Sequence, residues 1–243
     1  MKVLAIIPCY NEEKNLKSVV ENLKAEVPSI DFIIVNDGSQ DNTHEICVEN
    51  HYPVIDIPFN LGLANAVQTG MRYAYNNNYE MALQFDGDGQ HLPEYIPQMI
   101  KFMQETSADI IIGSRHIMKK STHKQDIFMK KGPLSLRGLG GNLLRLTVKI
   151  TTGKTLTDPT SGMRLFSRKM IQEFAKHINY GPEPDTLTYL MNLGISVLET
   201  PVIMQERKAG KSYLSAFNAV NYMLRMFISI IIIQWFRLRR NDL

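Results

Sequence analysis

The chain has 243 residues, 44% of them hydrophobic, enough to bury a core within one large α/β domain. A charged fraction of 21% and a formal net charge of +3 are too weak a bias to indicate a nucleic-acid partner. Cys9 and Cys47 lie far apart with no Cys-x-x-Cys spacing, which argues against a disulfide framework or a thiolate metal site and fits a reducing cytoplasm.

After Met1 and Lys2, the apolar run Val3–Pro8 is too short for the core of a signal peptide and predicts a buried first strand. Further β-rich runs follow at Phe32–Asn36, Val54–Pro58, Met81–Phe85 and Asp109–Gly113. Between them Leu16, Val19, Val20, Leu23 and Val27 recur at helical spacing, as do Leu63, Ala66, Val67, Gly70, Met71 and Ala74. Strand and helix in alternation predict a mostly parallel sheet covered on both faces, with ligands beyond the carboxyl ends of its strands. Polar motifs stand at those ends: Cys9-Tyr10-Asn11-Glu12-Glu13, Asp37-Gly38-Ser39-Gln40-Asp41, Asn60-Leu61-Gly62 and Asp86-Gly87-Asp88.

Beyond Arg115 comes a basic, loop-like stretch, His116 to Lys131, with five lysines. A helix is expected around Leu136–Thr151, then a turn-rich segment Thr157–Arg164 and a last helix–strand unit ending at Pro201. Residues 1–212 are expected to form one catalytic domain and 213–243 a C-terminal helix. Its apolar core, Met226–Phe236, is about half the roughly 20 residues that cross a bilayer. With Trp235, Arg237, Arg239 and Arg240 at its end, this segment suits a helix lying in a membrane interface, or else a core or dimer-forming helix.

The sharpest chemical signal is Leu83-Gln84-Phe85-Asp86-Gly87-Asp88-Gly89-Gln90-His91. If extended geometry persists through Asp88, Asp86 and Asp88 face one side, and two carboxylates so placed suit a hard divalent ion that also holds phosphate oxygens. An ordinary acidic turn is the alternative. Pro97 at the twelfth position from Asp86 argues against an EF-hand. In the loop after the second strand, Asp37 can accept the N–H of a nucleobase, whereas Asp41 and Thr43 also suit helix capping. No Gly-x-Gly-x-x-Gly opens a helix after the first strand and no Gly-x-x-x-x-Gly-Lys-Ser/Thr occurs, which argues against dehydrogenase and P-loop chemistry.

Taken in order, Pro8-Cys9-Tyr10-Asn11-Glu12, Asn36-Asp37-Gly38-Ser39, Asn60-x-Gly62, Asp86 to His91, Gly113-Ser114-Arg115, Asp158-Pro159-Thr160-Ser161-Gly162-Met163-Arg164 and Glu206-Arg207-x-x-Gly210-Lys211-Ser212 resemble the motifs of family 2 glycosyltransferases. The branch they are similar to holds dolichyl-phosphate mannose synthase and bacterial polysaccharide transferases. The resemblance implies a GT-A fold and inverting transfer of a sugar from a nucleotide diphosphate sugar. It implies Mg²⁺ or Mn²⁺ held at Asp88 with Asp86 and Gln90. Pro8, Tyr10, Asn11, Glu12, Asp37, Asn60, Gly62, Asp86 and Gly87 would bind the donor. Arg115, Arg137, Arg207, Lys211 and Gln90 would meet anionic groups of donor or acceptor, and the arginines can also be surface charges. Leu63 and Asn65 stand where the family often has lysine and glycine.

A hydroxyl acceptor loses its proton in the transfer, which calls for a carboxylate base. Asp185 is the first choice, with Glu183 and Asp158 as the others; Asp158 can equally cap the turn at Pro159. A phosphate acceptor is already ionised and needs no base. The expected activity is sugar transfer to a polyprenyl-linked acceptor in cell-surface polysaccharide synthesis. Polyprenyl phosphate itself as acceptor and a non-catalytic sugar-nucleotide-binding protein are the alternatives. The expected location is peripheral, on the cytoplasmic face of the membrane, with a homodimer as a further possibility.

Overall fold

The computed structural model describes residues 1–117, 136–177, 181–206 and 216–233. Its strands are β1 (Val3–Cys9), β2 (Asp31–Asp37), β3 (Val54–Ile57), β4 (Met81–Gln84), β5 (Ile110–Ser114), β6 (Arg164–Ser167) and β7 (Val197–Pro201). They form one sheet in the order β3-β2-β1-β4-β6-β5-β7. All pairings are parallel except those of β6, which runs antiparallel to both β4 and β5. The five N-terminal strands fall where the apolar runs predict them. Strand β6 does not: it begins at Arg164, the last residue of the segment read as turn-rich.

The helices are α1 (Leu16–Glu26), α2 (Thr43–Glu49), α3 (Leu63–Asn76), α4 (Ile96–Thr106), α5 (Leu136–Thr152), α6 (Arg168–Lys176), α7 (Pro184–Asn192) and α8 (Ala216–Ile228), the last running into a π-helical turn, Ser229–Ile233. Alternation along β1 sorts the core into two layers. Leu4 and Ile6, with Ile33, Val35, Ile110, Ile112 and Phe166, pack beneath residues of α3, α5, α6 and α7. Val3, Ala5, Ile7 and Cys9, with Ile34, Ile111 and Leu165, pack beneath α1, α2 and α4. Burial raises both thiols, Cys47 to about 11, so neither is a ready nucleophile.

Helix α3 lies close on β1 because Gly70 has no side chain: a Cβ there would sit 2.3 Å from Ile6 Cγ2. This contact sets the height of α3 and of the loop that leads into it. Gly70→Ala is expected to destabilise the fold by about 1–3 kcal/mol through overpacking against a β-branched side chain, despite the better helix propensity of alanine. Urea unfolding of the variant beside the wild type measures this.

Candidate active site

The loops after β1, β2 and β3 are tied to one another by their own polar side chains. Asn11, at φ 56°, donates its N–H to Ser39 Oγ (3.0 Å) and accepts Gln40 N–H at Oδ1 (2.8 Å). Glu12 N–H donates to Thr43 Oγ1 (3.0 Å), and the Glu12 carboxylate accepts Asn15 Nδ2–H (2.7 Å). Asp37 is buried at the end of β2, where its two oxygens accept the N–H groups of Leu61 (2.9 Å) and Gly62 (2.8 Å). A carboxylate thus sits at the N-terminus of α3, where backbone donors and the helix dipole favour negative charge. Each oxygen retains a second lone-pair direction for a ligand donor. Gly38 lets Asn60 and Phe59 cross: a Cβ at its φ of 67° would lie 2.6 Å from Asn60 N.

The acidic motif is built differently from the expectation. Strand β4 stops at Gln84 and Asp88 lies in a turn, so pleating does not align the two carboxylates. Hydrogen bonds and close contacts hold them instead. Asp86 Oδ1 accepts Gln84 Nε2–H (2.9 Å), and Asp86 N–H donates to Nδ1 of the buried His91 (3.0 Å), whose Nε2 lies 3.6 Å from Asp86 Oδ2. Asp88 Oδ1 accepts Gln90 N–H (3.0 Å). Gly87 N–H reaches the Pro8 carbonyl (3.4 Å), and a Cβ on Gly87 would lie 2.5 Å from Cys9 Sγ. Cys9 therefore sets how closely the acidic turn approaches β1. Gln90 and His91 pair with Met204 and Gln205: Gln205 N–H donates to the Gln90 carbonyl (2.9 Å), and Gln90 Nε2–H donates to that of Gln205 (3.3 Å).

Among the described residues no group of three or more His, Cys, Asp or Glu side chains could hold a metal ion. An all-oxygen pair, Asp86 and Asp88, does fit a hard cation that takes its remaining ligands from phosphate and water.

On the other side of the site, Asp158 is bonded to Arg115 at both oxygens, with Nε and Nη2 each at 2.7 Å, and also accepts Arg115 N–H (3.1 Å). Burial pushes the Asp158 pKa up, but hydrogen bonds and charge from Arg115 outweigh it, and the net direction is down. Glu199 on β7 fixes the same turn by accepting Thr157 and Asp158 N–H, each at 2.7 Å. Sequence reasoning missed Glu199, whose signal is an acid among the alternating residues of a short strand. Asp185 accepts Thr186 N–H (2.8 Å) and the Ser229 hydroxyl (2.6 Å), while Glu183 accepts the Tyr222 hydroxyl. Tyr222 and Ser229 were also missed, since nothing in the sequence pairs them with α7. Tyr10 is 41% exposed and Asn60 is exposed at the site's rim. Arg137 lies on the first turn of α5; its side chain, Arg207 and Lys211 lie outside the described residues, as does most of the basic stretch His116–Lys131.

A mostly parallel sheet interrupted by one antiparallel strand, with carboxylates beyond its strand ends, is the arrangement of a GT-A fold. Solved structures agree. Glucosyl-3-phosphoglycerate synthase from Mycobacterium tuberculosis in complex with Mn²⁺ and UDP-Glc superposes with a TM-score of 0.64 over 96% of this chain and 78% of that one, at 14% identity. A mannosyltransferase from Pyrobaculum calidifontis in complex with GDP-Man and Mn²⁺ gives 0.58 over 87% of this chain and 58% of that one, at 16% identity. The model of Glycosyl transferase family 2 matches residues 4–174, and the chain belongs to that family. It is 31% identical to the UDP-N-acetylglucosamine–dolichyl-phosphate N-acetylglucosaminyltransferase of Methanococcus voltae, over 82% of this chain and 84% of that protein. It is 28% identical to the undecaprenyl-phosphate mannosyltransferase of Micrococcus luteus, over 88% of each. The polyprenol monophosphomannose synthase of Mycolicibacterium smegmatis is 25% identical, over 93% of this chain and 85% of that protein. The protein is a glycosyltransferase.

Gly87→Ala is expected to push the acidic turn off β1 and lower the transfer rate roughly 100-fold, the cost of a displacement of about 1 Å. Adding Cys9→Ala removes the atom it strikes and should recover most of that loss in a single-turnover assay. Asp158→Asn is expected to cost about 2 kcal/mol at neutral pH, less than for a fully buried pair because Arg115 is 42% exposed. Because the folded pKa of Asp158 is depressed, its contribution is full above the ordinary aspartate value and is lost as pH falls through the lower folded value. Unfolding curves of the two proteins should therefore converge in acid.

Proposed function

We propose that the protein transfers a sugar, with inversion, from a nucleoside diphosphate sugar to the phosphate of a polyprenyl phosphate. One observation carries the choice of acceptor: the chain is similar over most of its length to three proteins named for undecaprenyl phosphate, dolichyl phosphate or polyprenol. The three carboxylates weighed as base each also hold a hydrogen-bond donor of the protein. Asp158 is bound by Arg115, Glu183 by Tyr222 and Asp185 by Thr186 and Ser229. An acceptor that arrives ionised needs no base, and a lipid phosphate is such an acceptor. Transfer to a hydroxyl of a polyprenyl-linked acceptor, with Asp185 as base, is the second reading.

In the proposed reaction a phosphate oxygen attacks the anomeric carbon as the bond to the diphosphate oxygen breaks, and the nucleoside diphosphate leaves. Asp86 and Asp88, with Gln90, would hold Mg²⁺ or Mn²⁺, which when bound neutralises the leaving diphosphate. The Pro8–Glu12 loop, Asp37 and the Asn60–Gly62 loop would hold the nucleoside, and Gly87 would let the diphosphate approach. Arg115, oriented by Asp158, would meet a phosphate, with Arg137, Arg207 and Lys211 as further cations. Among the described residues no helix is long and apolar enough to cross a membrane. Leu146 and Ile150 on α5, and Leu224, Ile228 and Ile232 on α8 and its π-helical end, are exposed. These two helices would rest on the cytoplasmic face of the membrane that carries the acceptor, with 213–243 as the contact segment. The same surface could instead meet a second copy.

The purified protein, supplied with UDP- and GDP-sugars, Mn²⁺ and undecaprenyl phosphate, is expected to move labelled sugar into the lipid phase. Asp88→Ala should abolish the transfer, and Asp185→Asn should reduce it by less than about tenfold, since no base is lost. A collapse with Asp185→Asn to the level of Asp88→Ala would instead favour a hydroxyl acceptor.

A further inference from the structure

Two buried polar atoms without a hydrogen-bond partner among the described residues belong to residues that face each other in the sheet. Gln84 ends β4, Arg164 opens β6, and the antiparallel register sets them directly opposite. Gln84 Oε1 and Arg164 Nη1 are the unpartnered atoms. Directly opposed side chains project from the same face of a sheet. Here it is the face covered by α3, α5, α6 and α7, since Ala82 and Phe166, two residues away on each strand, pack there. Native interiors contain few unsatisfied groups of this kind, and each calls for an explanation.

The remaining polar atoms of both residues lead to Asp86. Gln84 Nε2 donates to Asp86 Oδ1 at 2.9 Å. Arg164 Nε and Nη2 donate to the carbonyls of Ser161 and Pro159, each at 2.8 Å, and so fix the turn that delivers Gly162. Gly162 stands so near the carboxylate that a Cβ would lie 2.5 Å from Asp86 Oδ2. One oxygen of Asp86 is thus held by a hydrogen bond and the other is confined by backbone. Both holding residues are almost wholly buried. Burying a guanidinium costs several kcal/mol, which an apolar residue at 164 would avoid, but an apolar residue would leave the two turn carbonyls unheld.

We propose that Gln84 and Arg164 are positioning residues for the Asp86 carboxylate, Gln84 by orienting Oδ1 and Arg164 by holding the 159–162 turn against Oδ2. This rests on the reading that Asp86 and Asp88 hold the divalent cation. The effect of Gln84 and Arg164 reaches the cation only through the angle and position of one ligand, as with groups that orient the ligands of other metal sites.

The test uses the full chain and Mn²⁺ alone, with free Mn²⁺ followed by its electron paramagnetic resonance signal. Gln84→Met keeps the volume and removes the hydrogen bond. It is expected to weaken Mn²⁺ binding roughly 10- to 100-fold. Its metal-free melting temperature should not fall, because the change also removes a buried, unpartnered amide oxygen, a split that a purely structural role would not produce. Arg164→Lys, which loses the fork that holds both carbonyls, should weaken binding likewise; if it does not fold, Gln84→Met decides. Mn²⁺ affinity within about twofold of wild type in Gln84→Met, with binding lost in Asp88→Ala, would overturn the positioning role and leave the metal reading standing. Unchanged binding in Asp88→Ala would overturn the metal reading, and this inference with it.

Discussion

The site depends on the antiparallel strand β6, which is hydrogen-bonded between β4 and β5. Parallel strands alone would carry every loop from the same direction, each returning through a helix. A strand of opposite sense begins where its neighbours end, so the chain enters β6 from the ligand-binding edge. That entry delivers the 158–163 turn directly against the acidic motif, with Gly162 beside Asp86 and Asp158 beside Arg115 at the end of β5. Two carboxylate environments far apart in sequence thus meet through one short strand, and Arg164 at its first position anchors the junction from below.

That strand was also the least legible part of the fold. The strand sites from β1 to β5 could be read because their apolar runs are followed by polar clusters, and a parallel sheet buried on both faces produces such runs. Strand β6 has four residues, and an arginine stands first on its core-facing side, where period-two reasoning requires an apolar residue. Arg164 is tolerable there because two backbone carbonyls receive its fork, a circumstance that sequence alone does not display. The expected alignment of Asp86 and Asp88 by an extended strand does not occur. Their residue types and spacing were informative, but a turn and its hydrogen bonds arrange them, since the strand ends two residues before the motif.

The donor side shows how much an ordinary motif can conceal. Asp37 was expected as a base-reading carboxylate, and in the fold it first serves the chain by receiving two N–H groups at the start of α3. The roles are compatible because a carboxylate accepts about four hydrogen bonds and two are used. The same side chain shapes the Asn60–Gly62 loop and, on the proposed reading, would also present charge toward the donor. Asn11 and Ser39 likewise spend part of their hydrogen-bonding capacity on joining neighbouring loops, which fixes the rim of the site before any ligand arrives. Preorganisation of this kind reduces the ordering that binding must impose.

The acceptor side follows from the C-terminal helix. Tyr222 and Ser229 are seven residues apart, close to two helical turns, and so lie on one face of the segment. That face meets Glu183 and Asp185, while Leu224, Ile228 and Ile232 remain exposed. Burial strongly raises the Tyr222 phenol pKa, with Glu183 the next contributor, so its proton stays in place and the hydroxyl remains a donor across the working pH range. Two acids at the start of α7 are therefore covered by donors from a helix whose other surface is apolar. On the proposed reading, the element that rests on the lipid surface is also the one that engages Glu183 and Asp185 at the start of α7. An acceptor coming from that surface with its nucleophilic oxygen already anionic would need neither of them as a base.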